Sequence, residues 1–245
     1  MRLKSNIEKI LRLLAVFVMG GLAGWICELF YRRLAHGKWI NPGFLTGPFL
    51  PLYGTGVLLL YVLCETDISF IPDPVWQKVT MILIITVAMT VIEYITGIIF
   101  TKKFRVWLWD YSKRPGNIQG VICPLFSLIW GAAGAVYYLF AHKYVASAAE
   151  KLTSTPVAAC LLGMILGVLA VDVGYSFHLV TKIKAWAETQ QLGVRYENLK
   201  LAVRSHAEAL KTKKRFVFSF SGINLKEELE HYAEMLREKS PIRKK

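Results

Sequence analysis

The chain has 245 residues, 54% of them hydrophobic, and a formal charge of +13 from 30 Lys and Arg against 17 Asp and Glu. That combination excludes an ordinary soluble domain. Its four cysteines, Cys27, Cys64, Cys123 and Cys160, are singletons in or at the ends of apolar runs and its five histidines are scattered, which excludes a paired CxxC metal or redox site.

The apolar residues gather into five runs near the 20-residue length that crosses a hydrocarbon core of about 30 Å. They cover 11–30, 44–64, 79–100, 118–141 and 157–180, and predict an all-α integral membrane protein with about five transmembrane helices in residues 1–180. The first run follows Arg2, Lys4, Lys9 and Arg12, as a secretory signal would. It ends in Trp25, Glu28, Phe30, Tyr31 and Arg32 without a small-residue cleavage site, so it reads as a retained helix.

The second run opens on NPGFLTGPFLPLYGTG, residues 41–56, with three prolines and four glycines. Proline removes a backbone donor, which is tolerable at membrane depth only where the chain is buried in protein or lines water. GPFLPLYG is therefore expected as a short unwound or re-entrant segment, with regular helix from near Thr55; the plainer alternative is a capped inner loop before a tilted helix.

The third run carries Glu93, the fourth follows the basic loop WDYSKRPGN, and the fifth carries Asp172. Acids within spans are costly and mark function by default. Glu28, Glu93 and Asp172 lie toward the same ends of the first, third and fifth runs, so they read either as one inner-leaflet cavity or as separate structural pins, Glu28 with Arg32 four residues on.

Beyond residue 180 the chain is polar. Residues 184–214 read as one long amphipathic helix, and a second helix is expected after Ser221 or Asn224 with Glu227 and Glu228 in its first turn. This basic tail, 181–245, includes KTKKR at 211–215; it reads as a solvated helix pair under an anionic leaflet or as a docking element, and nucleic acid is not expected. The loops at 31–43 and 101–117 and the tail are rich in Lys and Arg, which puts all three in the cytoplasm and the N-terminus outside, against the preference of the four early cations.

The first four runs read as two copies of one two-span plan, related by an axis along the membrane normal. Each copy has a glutamate near the inner helix end, a basic loop, an Asn and a Pro-interrupted start to the next span; the loops differ by about eight residues.

GWICE at 24–28, NPGFLTGPFLPLYG at 41–54, WDYS at 109–112 and NIQGVIC at 117–123 resemble, in order, the bacterial family of type IV ABC-transporter permeases, over about residues 15–140. The resemblance implies a multi-pass inner-membrane permease component. By motif it points to Glu28, Asn41, Gly47, Pro48, Pro51, Tyr53, Asp110, Tyr111, Ser112 and Asn117 as substrate- or ion-binding candidates, to which the intramembrane position adds Glu93. Pro42, and Lys113-Arg114 after WDYS, depart from the family pattern.

The sequence contains no GxxxxGK[ST] phosphate loop, so ATP-driven transport would need a separate cytoplasmic ATPase docked on the inner loops or tail. The expected partners are the lipid bilayer, that ATPase and further copies in a homo-oligomer; no cofactor or metal is expected. Two other functions fit the same residues: an inner-leaflet lipid-modifying enzyme using the acids and basic loops, and a membrane scaffold that recruits a partner through its tail.

Overall fold

The computed structural model describes residues 2–37, 39–189, 194–209 and 224–239. Its first helix, α1, runs Arg2–His36. At 35 residues it is about 52 Å long, far more than a bilayer core needs. It begins well before residue 11 because the early residues can continue a helix without being apolar.

The chain returns through α2, Pro51–Cys64. This is where the structure departs most from the expected span at 44–64. Only 14 residues are helical, about 21 Å, and regular helix begins at Pro51 rather than near Thr55. Residues 39–50 form an irregular segment that runs back along α1, so that Leu50 N–H donates to the Gly21 carbonyl at 3.1 Å.

α3 is Pro74–Ile98, capped by the Asp73 carboxylate, which accepts from Val75 N at 2.7 Å and Trp76 N at 3.3 Å. A wide π turn, Ile99–Lys103, extends it. α4, Pro124–Val136, passes through a second π turn, Tyr137–Ala141, into α5, His142–Thr153. The expected run at 118–141 thus starts six residues later, and the loop expected at 142–156 is mostly helix. α6, Pro156–Thr189, continues nine residues past the expected end at 180.

α2, α3, α4 and α6 all begin on proline, whose missing N–H costs nothing in a first turn and whose fixed φ suits it. Among the described residues, four stretches are long and apolar enough to cross a membrane: Asn6–Ala35, Pro74–Lys103, Pro124–Thr153 and Pro156–Thr189. The protein is an all-α membrane protein.

Two helical hairpins supply the frame. Where α1 meets α2, Gly21 and Gly24 face the Phe49 ring and Tyr53, and a Cβ at either would overlap them. Where α3 meets α4, Gly131 and Gly134 lie against Thr86 and Ile85 in the same way. Small residues allow such close backbone approach in a membrane, where lipid removes the hydrophobic drive for association. Ala15, Val16, Val18, Tyr61, Ala149 and Leu162 bury one core around α1, and Leu60, Met81, Ile85, Met89 and Tyr137 a second between the hairpins.

The tail is not one long helix from 184. It breaks after Thr189; Val194–Arg195 forms a short strand β2 that pairs in parallel with β1, Val106–Trp107, and α7 follows as Tyr196–Ala209. The second expected helix is α8, Leu225–Lys239, directly after Asn224. Residues 210–214, Ser221 and the KTKKR cluster lie outside the described residues.

Rather than lying free, α7 and α8 close a third core on the end of α6, with Val180, Ile183 and Ala187 packed against Val106, Val194, Leu199, Val203 and Leu229. This core places α7 against segment 39–50 and the end of α1.

Candidate functional site

The segment 39–50 is held from three directions. Asn41, 1% exposed, accepts from Trp25 Nε1 at 2.8 Å through Oδ1 and donates through Nδ2 to the Thr46 carbonyl at 2.8 Å. From α6, the Asp172 carboxylate accepts from Thr46 N at 3.1 Å, from Gly47 N at 2.9 Å and from the Thr46 hydroxyl. From α7, Lys200 Nζ donates to the Asn41 carbonyl at 3.0 Å and to the Gly43 carbonyl. The backbone groups freed by the Pro/Gly sequence are thereby satisfied partly by Asn41 within the segment and partly by Asp172 and Lys200, more than a hundred residues away.

Beside this segment lies a cavity of about 170 Å³ whose lining includes Glu28, Arg32, Pro51, Tyr53, Glu93, Tyr111, Trp130, Glu197 and Lys200. Glu28 accepts from Arg32 Nε at 3.1 Å and from the Tyr53 hydroxyl at 2.9 Å. Arg32 also pairs with Glu197 of α7. Across the cavity, the Tyr111 hydroxyl donates to Glu93 Oε1 at 3.1 Å. Tyr111 is fixed by stacking on Phe126, ring centroids 4.3 Å apart and planes 10° off parallel.

Each hairpin therefore brings a glutamate of its first helix to a tyrosine hydroxyl. Tyr53 is the third residue of α2, and Phe126, beneath Tyr111, is the third residue of α4. A second cavity of about 210 Å³ lies next to the first and shares Leu52, Tyr53, Glu93 and Trp130 with it; Val57, Leu60, Met89 and Tyr137 help make it almost wholly apolar.

Of the eleven residues expected at a site, the structure brings Glu28, Pro51, Tyr53, Glu93 and Tyr111 onto the wall of the first cavity. Asn41, Gly47 and Pro48 belong to the braced segment behind it. Asp110, Ser112 and Asn117 build the following loop. Asp110 accepts from Ser112 N at 2.9 Å and pairs with Arg195 of the tail at 2.6 Å, while Asn117 Nδ2 donates to the Arg114 carbonyl at 2.8 Å. Burial pushes the Asp110 carboxyl up, but the Ser112 hydrogen bonds and the Arg195 charge outweigh it and hold the group below its usual range. Asp172 anchors the segment and is not on either cavity wall.

Sequence reasoning missed Trp130, Glu197 and Lys200. Lys200, 4% exposed, stands between Leu199 and Leu201, and a lone lysine on an apolar helical stretch was the available signal. Burial, reinforced by the nearby Arg32, pushes its ammonium down to about 7. Tyr196 beside it is raised above the ordinary phenol range, first by burial.

No curated protein and no solved structure matches the chain. Residues 15–177, which extend past the motif-bearing stretch of about 15–140 into α6, match the model of the family described as "Putative ABC-transporter type IV", and the chain belongs to that family.

Proposed function

We propose that the protein is the permease component of an ABC-type transporter, lacking its own ATPase, and that the cavity between the two hairpins is its substrate site. The observation that carries this reading is the convergence of Glu28 and Glu93, from separate hairpins, on one cavity beside an irregular, side-chain-braced membrane segment. Broken segments with freed backbone groups and intramembrane acids are the usual materials of a transport site. Family membership supports the transport setting.

The orientation follows from charge. The basic loops and tail face the cytoplasm across the inner membrane, so the cavity mouth under α7 opens inward. A separate ATPase docks there, where the 101–117 loop and the tail meet through Asp110 and Arg195. Glu28, Tyr53, Glu93 and Tyr111 contact substrate; Pro51 starts the helix that carries Tyr53; Asn41, Gly47, Pro48, Asp110, Ser112 and Asn117 hold the surrounding backbone.

The test is co-purification of the full chain, crosslinked in its native membrane, with an ATP-hydrolysing subunit, followed by joint reconstitution in liposomes. ATP hydrolysis should depend on the full chain, and Glu93→Gln should uncouple it at unchanged membrane abundance. Failure to recover any ATPase would sink the permease assignment, and equal loss of protein level with Glu93→Gln would make that residue a structural pin.

A further inference from the structure

The charges lining the first cavity are not all alike. Glu28 faces Arg32 at 3.1 Å, Arg32 is shared with Glu197, and the Lys200 ammonium is spent on two backbone carbonyls. Glu93 has no cation opposite it among the described residues. Its Oε1 receives the Tyr111 hydroxyl, while Oε2 is buried without a hydrogen bond, although the residue is only 3% exposed.

A buried carboxylate oxygen without a partner is expensive and invites a donor or a cation. The Trp130 indole N–H lies near the same carboxyl without closing a hydrogen bond, and could supply only a neutral contact.

Glu93 also lines the second cavity, whose other walls include Tyr53, Leu60, Met89, Ile92, Trp130 and Tyr137. The Tyr137 hydroxyl there is likewise buried and unpartnered. It sits at the start of the second π turn, a distortion that often marks functional positions in helices. The arrangement is a single buried carboxyl at the edge of an apolar chamber. It suits neither an inorganic ion, which would need several oxygens, nor a purely apolar molecule, which would leave Glu93 unpaired.

From this we infer that the chamber between α2, α3 and α4 takes an amphipathic organic ammonium, its cationic head on Glu93 Oε2 and its alkyl part along Leu60, Met89 and Ile92. A cavity of 150 Å³ holds benzene, so this one suits an alkyl part of about six to eight carbons. The assignment deepens the permease reading by naming the substrate class of the chamber that adjoins the proposed site and shares Glu93 with it, and its test requires no ATPase.

The experiment is equilibrium binding of labelled octylammonium to the full chain in lipid nanodiscs, with protein-free nanodiscs subtracted to remove partition into lipid. Saturable binding is expected, with octanol competing at least about tenfold more weakly because it lacks the charge that a hydrogen-bonded carboxylate rewards. Glu93→Gln should weaken octylammonium by a similar factor. Ile92→Trp, which fills the chamber and leaves Glu93 in place, should weaken it as well and covers the case in which Glu93→Gln does not fold.

Equal competition by octanol, or unchanged binding in a folded Glu93→Gln and in Ile92→Trp, would overturn the inference. Coupled ATP hydrolysis in a protein that fails to bind octylammonium would remove the amine and leave the permease. Binding without any recoverable ATPase would do the reverse.

Discussion

Lys200 donates to the carbonyls of Asn41 and Gly43 from a helix 159 and 157 residues away in sequence, so one side chain joins the tail to the irregular membrane segment. Burial first, and then the charge of Arg32, lowers its ammonium to about 7; Glu197 and Asp172 oppose the shift. A freed lysine keeps its proton to about pH 10.4. Across that window the released tail binds more protons than the docked one, so docking strengthens as pH rises from about 7 toward 10. Below about 7 both states carry the ammonium and this group adds no further pH dependence.

Amide exchange in 196–209, corrected for its intrinsic rate, should therefore show greater protection at pH 9 than at pH 7. Lys200→Met should abolish the difference and weaken docking by about 1–3 kcal/mol, the cost of leaving buried carbonyls without a donor. Protection that does not change with pH in the unaltered chain would contradict this account. The sequence made Glu28, Tyr53, Glu93 and Tyr111 visible because acids in apolar runs, and motifs beside them, stand out locally. It did not make Lys200 visible, because its partners are backbone carbonyls brought near only by the third core.

At the scale of elements, the glycines of α1 set how closely the first hairpin packs. Gly24 lies against Tyr53, whose hydroxyl reaches Glu28, so widening this contact also pulls on the cavity wall. Gly24→Val should lower thermal stability by about 1–3 kcal/mol, the usual cost of forcing volume into a packed contact. Gly163→Ala on α6 should be neutral or slightly stabilising, since nothing lies within 4 Å of a Cβ there and alanine is the better helix former. Similar unfolding temperatures for the two variants would show that the hairpin contact is slack.

The existence of the long spans was legible from 20-residue apolar runs; that four helices open on proline was not, because proline in sequence reads as a breaker. The helix ends were not legible either. α1 and α6 continue through polar residues that hydropathy discounts, and the loop expected at 142–156 is helical because α5 packs Ala149 into the core around α1. The short α2 was half legible, since its breakers announced an interrupted span but not the start at Pro51.

At the scale of the molecule, the tail is part of the site's wall. Tyr196, Glu197 and Lys200 line the cavity, and the β1–β2 pair and the Arg195–Asp110 bridge hold α7 over it. In a chain whose four native cysteines are replaced by alanine, Thr96→Cys reports on the cavity interior. A water-soluble maleimide should label it slowly in the full chain and severalfold faster after truncation at residue 189. Equal rates would mean that α7 does not cover the mouth. Composition revealed a basic helical tail, yet its docking rests on contacts between residues 106 and 194, 110 and 195, and 32 and 197, pairings no local pattern encodes.

Arg32 answers to two carboxylates at once, Glu28 inside the frame and Glu197 on the tail. A shared cation of this kind makes the two acids competitors. Neutralising Glu28, by a proton or by a bound cation, leaves Arg32 more fully to Glu197 and tightens the tail; lifting the tail returns Arg32 to Glu28 and weakens that acid's hold on any other cation. Thermodynamic reciprocity then requires that whatever a ligand at Glu28 does to tail docking, tail docking does by the same factor to the ligand. One guanidinium thereby couples the charge on Glu28 to the docking of α7.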